Sequence, residues 1–334
     1  MHTVRYISVA CLLVFSLISC EKAESPIELP PQGTSKITSV TMGIDYQTQV
    51  YFSFTSGIVK TAPVNSWDFA LESTPEGYHL FQNGGKNIYT YNTKLTDAAA
   101  VAKNANFYRS LPTDSFQFDA PCGLPDSTAM KNWRNPDGSS KKEVFIVNIN
   151  RTTYKKLVLN HVTATSYSLS YSDLDSKDMK AIEVPKDPLC NYSYFSFDNG
   201  GAVVAPEPVK TTWDVVFTRY RHFFVKEQLP YIVSGALLNP YNTAAIEDSI
   251  SGYTNISYPT VAASPFSIDR DVIGYDWKDV KVDVNTNTAV YNTKPQNCYV
   301  VRTQTDGFWK IHFLNFYDTN KEKGTPTFEY EQIQ

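Results

Sequence analysis

Gln49-Val50-Tyr51-Phe52-Ser53-Phe54 alternates its side chains with a period of two, the pattern of a strand with one buried face. Val50, Phe52 and Phe54 point one way, Tyr51 and Ser53 the other. The stretch returns as Tyr192-Ser193-Tyr194-Phe195-Ser196-Phe197, and it does not return alone. Ser66-Trp67-Asp68-Phe69-Ala70-Leu71 has a counterpart in Thr212-Trp213-Asp214-Val215-Val216-Phe217. Tyr91-Asn92-Thr93 matches Tyr241-Asn242-Thr243, and Trp133 matches Trp277. Tyr154-Lys155-Lys156-Leu157-Val158-Leu159 matches Phe308-Trp309-Lys310-Ile311-His312-Phe313. The order is the same in both copies and the spacing drifts only by loop lengths, so the chain carries a tandem duplication. The expected architecture is all-β: two antiparallel lobes, 39–178 and 179–334, with short helical insertions. A polar, proline-bearing stretch from Ser176 to Pro188 reads as their connector.

The rest of the sequence agrees with β-structure. It holds 22 Tyr and 19 Phe, both strand-favouring, while 19 Pro and 15 Gly punctuate short runs. Tyr167, Leu169 and Tyr171 alternate with Ser166, Ser168 and Ser170, as in a half-buried antiparallel strand. Val144 to Ile149 is apolar enough for a more buried one. Asp137-Gly138 and Asp306-Gly307 are hairpin turn dipeptides; the second joins Tyr299-Val300-Val301 to Trp309-Lys310-Ile311. One helix is expected, Asp97 to Lys103, capped by Thr96. The recurring Trp-Asp pairs read as core anchors whose carboxylates satisfy backbone N–H groups, rather than as catalytic acids.

At the N-terminus, Arg5 precedes an apolar run from Ile7 to Ile18 that is too short to span a bilayer, which takes ~20 residues. It suits a cleaved signal peptide. The run ends in Leu17-Ile18-Ser19-Cys20, which resembles a bacterial lipobox. Residues 1–19 are thus expected to be a lipoprotein signal peptide and Cys20 the lipidated residue, with acyl chains as anchor. Residues 20–38, with Pro26, Pro30 and Pro31, read as a flexible tether. Loss of Arg5 leaves the mature protein one unit more negative than the whole chain's −4, which does not suggest a nucleic-acid partner. Cys122, Cys190 and Cys298 remain after Cys11 and Cys20. In an oxidising compartment they allow one disulfide, for which Cys122–Cys190 is the expected pair. No two of them have metal-knot spacing.

Several of these pieces resemble the HmuY haemophore family of Bacteroidetes surface lipoproteins. They are the Tyr-Phe-Ser-Phe strand with a following glycine (Gly57; Gly200 and Gly201), the run Trp213-Asp214-Val215-Val216-Phe217-Thr218-Arg219-Tyr220, and the closing hairpin. That hairpin runs from Tyr299 through Asp306-Gly307 and Lys310-Ile311-His312-Phe313 to Lys323-Gly324-Thr325-Pro326-Thr327-Phe328-Glu329-Tyr330. The likeness covers most of the C-terminal half and is weaker at 49–71 and 144–171. It implies an all-β fold, an outer-membrane anchor at the cell surface, haem as ligand and a TonB-dependent receptor as partner. In the family, two histidines downstream of the Trp-Asp strand hold the iron. Here residues 237–297 contain no His and no Met, leaving Tyr241, Tyr253, Tyr258, Tyr275 and Tyr291, so that pair is not carried over.

The mature chain has four histidines, His79, His161, His222 and His312, none within four residues of another. His222 ranks first as a haem-iron candidate because Arg219-Tyr220-Arg221-His222-Phe223-Phe224 mixes cations with aromatics. Arg219 and Arg221 are the propionate candidates; His312 ranks second for iron. Nothing in the sequence points to an enzyme, since no nucleophile elbow, phosphate loop or zinc-protease motif occurs. The alternative to haem capture is a relative that has lost its haem ligands and binds another small molecule, a glycan or a protein.

Lipidation is directly testable. Cys20→Ala should move the protein from the detergent-extractable membrane fraction to the soluble one or leave it unprocessed; retention in the membrane fraction would refute the lipobox reading.

Overall fold

In the first copy the alternating segments become β1 (Lys36–Ser39), β2 (Thr48–Ser53), β3 (Gly57–Pro63), β4 (Phe69–Glu72), β5 (Leu80–Gln82), β6 (Ile88–Asn92), β7 (Phe145–Ile149), β8 (Thr153–Val162) and β9 (Ser166–Asp173). The second copy gives β10 (Lys180–Pro185), β11 (Tyr192–Ser196), β12 (Ala202–Val204), β13 (Val215–Phe224), β14 (Leu229–Leu238), β15 (Ala244–Asp248), β16 (Lys278–Asp283), β17 (Thr288–Thr293), β18 (Cys298–Arg302), β19 (Phe308–Tyr317) and β20 (Lys323–Ile333). Helices α1 (Ala98–Lys103), α2 (Ala105–Arg109) and α3 (Tyr258–Val261) are short insertions. This computed structural model describes residues 35–283 and 288–333; the signal peptide and Cys20 lie outside the described residues.

Two large sheets each belong mainly to one copy. One has the order β10-β9-β8-β7-β6, the other β1-β20-β19-β18-β15. While β16 and β17 pair as a two-stranded sheet within the second copy, the two four-stranded sheets are hybrids, β12-β11-β4-β5 and β14-β13-β2-β3. In each, a hairpin from one copy pairs with a hairpin from the other: Tyr194 sits opposite Ala70 and Tyr51 opposite Val216. The edge strands are exchanged in the same sense, since β1 closes on β20 and β10 on β9.

Each hybrid sheet packs one face on a large sheet. Val50, Phe52, Phe54, Phe217, Trp277, Phe313 and Phe328 share one core. Phe69, Leu71, Trp133, Leu157, Tyr167, Leu169 and Phe195 share the other. The other faces of the hybrid sheets, carrying Tyr51, Trp213, Val216 and Tyr220 and Ala70, Phe81, Tyr192 and Tyr194, meet around a cavity described below. Helices α1 and α2 cover the far side of the first large sheet at Ile146 and Val158, which is why β7 is buried on both faces.

The Trp-Asp pairs hold this exchange together by symmetric contacts. Asp68 accepts the Phe197 N–H at 2.7 Å and the Ser196 hydroxyl at 3.2 Å, and Asp214 accepts the Phe54 N–H at 2.8 Å. Trp67 stands edge-on to Tyr194 with ring centroids 5.1 Å apart, and Trp213 edge-on to Tyr51 at 4.9 Å. Asn83 donates to the Val64 and Trp67 carbonyls; Asn239 donates to those of Lys210 and Trp213. Lys86 adds an ion pair to Asp68 at 2.9 Å.

Several expectations are corrected. The boundary at 178/179 does not divide the sheets, because β2, β4, β11 and β13 pair across it. The supposed connector contains β10, whose Val184 is fully buried against Tyr167. Residues 36–38 of the supposed tether are in β1. Asp97, not Thr96, caps α1, accepting the N–H groups of Ala99 and Ala100. Tyr91 lies inside β6 whereas Tyr241 precedes β15, so that anchor is out of register; the true equivalents are Asn83 and Asn239. The Cys122–Cys190 bridge is not formed, and Cys122, Cys190 and Cys298 are all free. The Cys122 sulfur faces the Ser127 hydroxyl, while that of Cys190 faces the Pro208 carbonyl.

One close approach demands glycine. A Cβ on Gly85 would fall 2.5 Å from the Arg219 carbonyl oxygen of β13, where the first copy's turn after β5 presses on the second copy's strand.

The exchange predicts the behaviour of fragments. Residues 179–334 alone lack β1, β2 and the core residues Val40, Met42, Val50, Phe52 and Phe54, and should show no cooperative melt. Co-expression with residues 35–178 should restore one complex with a single melt. A cooperative melt of 179–334 by itself, followed by circular dichroism, would contradict the interleaved arrangement.

Candidate functional site

His222 lies near the turn of the long β13–β14 hairpin, opposite Tyr231 in the register. Its ring is 4.8 Å from Tyr275 and 5.0 Å from Phe224. Phe224 in turn touches Tyr231, which is 58% exposed. Leu229 and Val225 are also exposed there. The Nδ1 of His222 is buried and has no hydrogen-bond partner among the described residues, an unmet requirement for a buried polar group. The hairpin end thus carries an imidazole whose buried Nδ1 is unpaired among the described residues, beside an aromatic, partly exposed patch.

The other sequence candidates are held in the scaffold. His312 has both ring nitrogens engaged, Nδ1 with the Pro295 carbonyl at 2.9 Å and Nε2 with Glu329 at 3.0 Å. Tyr253 stacks on it at 4.1 Å, so it serves β19–β20 pairing rather than an open coordination site. Arg221, 3% exposed, donates to the Ile88 carbonyl and to Asn87 and lies 3.9 Å over the Tyr89 ring. Arg219 donates to the Asp45 carbonyl and Asn65. Both arginines are struts between β13 and the first copy, the result of β13 lying between its own hairpin partner and β2. The structure therefore does not bring His222, His312, Arg219 and Arg221 together as one site.

His79 bonds Glu72 through Nδ1 at 2.8 Å. Burial opposes ionisation of Glu72, yet bonds from the His79 ring and backbone and the Tyr78 N–H hold its carboxyl below the ordinary value. His161 is exposed on the irregular part of β8. Of the tyrosines in 237–297, Tyr241 lies under Lys210, Tyr258 on Phe308 and Tyr291 on Phe316, and only Tyr275 touches His222. Among the described residues no group of three or more His, Cys, Asp or Glu could hold a metal ion.

The meeting faces of the hybrid sheets leave a cavity of about 110 Å³, lined among others by Tyr51, Trp67, Gln82, Tyr194, Tyr220 and Arg221. Asp119 also lines it and accepts the backbone N–H groups of Gln82 and Ala129. Burial pushes its carboxyl up to about 7, against the pull of those two bonds and of Arg221. No local motif marks this cavity, because its wall exists only once the two copies interleave.

Residues 233–330, from β14 into β20, match the model of the HmuY protein family. No curated protein matches the chain. Among solved structures, the apo HmuY analogue of Tannerella forsythia is 8% identical, with 91% of this chain and 100% of that one covered and a TM-score of 0.30. Apo PinO from Porphyromonas gingivitis is 17% identical over 50% and 91% of the two chains, TM-score 0.23. A Bacteroides vulgatus protein classed as HmuY-like and haem-binding is 14% identical over 55% and 94%, TM-score 0.23. The protein is all-β, and it is HmuY-like.

Asp119 supplies a pH test of the cavity. Its proton is held more tightly folded than unfolded, where a carboxyl titrates near ~3.9. The resulting stabilisation is complete below that value and is lost as pH rises through about 7. Asp119→Asn should flatten the fall in melting temperature between roughly pH 4 and 7. Parallel profiles for variant and parent, by scanning calorimetry, would refute the assignment.

Proposed function

We propose that the protein is a cell-envelope lipoprotein that captures haem or a related tetrapyrrole at the end of the β13–β14 hairpin and delivers it to an outer-membrane receptor of the TonB-dependent kind. The observation that carries this reading is the unpartnered Nδ1 of His222 among Phe224, Tyr231 and Tyr275, with the HmuY-matching segment beginning on the adjacent strand at residue 233. A flat apolar ring gains by covering these aromatics, and a single imidazole is one of the side chains that hold haem iron. The likeness to the HmuY family supports haem as the ligand and the outer-membrane surface as the location, with Cys20 as the anchor. Because His312 is closed on both nitrogens, haem iron held here would have His222 as its single histidine ligand, and a high-spin spectrum is expected.

A second reading is favoured by the engagement of Arg219 and Arg221 as struts, which leaves them little capacity for propionates. It makes the chain an HmuY-like binding protein for another small molecule, a glycan or a protein.

Haemin titration followed by visible absorption separates the two. The first reading expects saturable binding with a high-spin spectrum, weakened at least tenfold by His222→Ala and unaffected by His79→Ala. Absence of saturable binding, or binding that survives loss of both His222 and His312, would overturn it.

A further inference from the structure

We infer that the space between the two hybrid sheets, away from the His222 hairpin end, is a binding site for a small organic anion, a hydroxylated molecule bearing a carboxylate or phosphate. The inner cavity of about 110 Å³ shares Phe81, Gly123, Tyr192 and Arg270 with an outer cleft of about 750 Å³. The outer space is within the range of small-molecule sites, roughly 300–1,000 Å³. The two spaces form a vestibule and an inner chamber with Arg270 at their common wall.

The charge of the vestibule comes from Lys210, Arg270 and Arg302. Among the described residues none of the three has a carboxylate at ion-pair distance. Among the described residues Arg270 spends only its Nε, on the Leu238 carbonyl, and its two terminal nitrogens make no hydrogen bond. A guanidinium fork with both ends free matches a carboxylate or phosphate in two-point contact. Two of the three acidic residues of the same walls, Glu72 and Asp119, are already engaged. Glu72 is bound to His79 and the Tyr78 N–H, Asp119 takes two backbone N–H groups, and Asp306 sits in the exposed β18–β19 turn. Glu207, behind the wall, accepts from Asn191, the Tyr192 N–H and Tyr194.

The inner chamber asks for hydrogen-bonding partners. Trp67 Nε1, Tyr220 hydroxyl, Arg219 Nε, Arg221 Nε and Gln82 Oε1 are buried without a partner, and all five residues line the chamber. Tyr220, Arg221 and Gln82 are 6%, 3% and 7% exposed. Such orphaned groups are costly unless something occupies the space. Four of the five are donors; each is closed to water, so it meets the oxygens of a hydroxylated ligand only after its side chain turns toward the chamber. Tyr51, Tyr192, Tyr194 and Trp67 supply the aromatic walls on which the face of a sugar-like ring rests. A few waters at about 30 Å³ each would also fill the chamber, but water alone gives the site no preference among solutes.

The test is isothermal titration of the purified full chain with three probes: glucuronate, glucose 6-phosphate and glucose. Saturable binding is expected for at least one of the two anions and not for glucose. Arg270→Gln should weaken that binding at least tenfold. Arg302→Gln, at an exposed position where folding is not at stake, should weaken it several-fold while leaving the melting temperature and any haemin titration unchanged. Failure of both anions to bind, binding of glucose equal to theirs, or unchanged affinity in both variants would overturn the inference. None of these results depends on the His222 reading, whose failure appears only in the haemin titration.

Discussion

Asp68 and Asp214 each reach out of their own copy and take the backbone N–H at the end of the other copy's Tyr-Phe-Ser-Phe strand. A hydrogen bond to a buried carboxylate is worth about 1.5–3 kcal/mol, and both lie at the point where a hairpin leaves one copy for the other. Around them the same set of contacts is built twice, with tryptophan on tyrosine and asparagine on the turn carbonyls. Each aspartate is desolvated, and burial raises the carboxyl of Asp214 above its ordinary value against the pull of its hydrogen bonds. An unexchanged arrangement would offer each carboxylate the equivalent N–H of its own copy, so the Trp-Asp pairs fix the geometry of the joint, and the strand pairing across copies decides which copy supplies the partner.

This constraint also shapes the sites. Because β13 pairs with β2 as well as β14, its first half is locked between two copies and only its far end projects. Arg219 and Arg221 fall where β13 meets the turn after β5, and they become struts; His222 and Phe224 fall just beyond and remain partly open. The cavity between the hybrid sheets has the same origin. Two faces rich in tyrosine and tryptophan meet there, and large rings with polar tips leave gaps lined by hydroxyl and N–H groups. A sandwich of two ordinary aliphatic sheets would have closed that space.

Much of this was legible in the sequence. The period-two alternation placed β2, β9 and β11, the Asp306-Gly307 dipeptide placed the β18–β19 hairpin, and the paired anchors revealed the duplication. The structural role of Asp68 and Asp214 followed from their recurrence beside tryptophan. What the sequence does not encode locally is the partner of each strand. A repeat says which residues are equivalent, not whether Tyr51 pairs within its own copy or with Val216. The same limit hid β10, where Ser176, Lys177 and the flanking prolines have connector composition although Ile182 and Val184 alternate inward. The neighbours Ile311 and Phe313 set the face of His312, while its engagement depends on Pro295 and Glu329 from elsewhere. The cleft cations Lys210, Arg270 and Arg302 carry no local motif and converge only through the fold.

The measurement that bears most directly on interleaving is the calorimetric unfolding of the full described body. Two independent lobes would unfold as two transitions, or as one broad transition whose calorimetric enthalpy exceeds the van't Hoff value. Interleaved copies share both four-stranded sheets, so neither core survives loss of the other. The account predicts one transition with equal enthalpies, shifted as a unit by Asp68→Ala. A split transition, in which Asp68→Ala lowers one component and leaves the other in place, would contradict it.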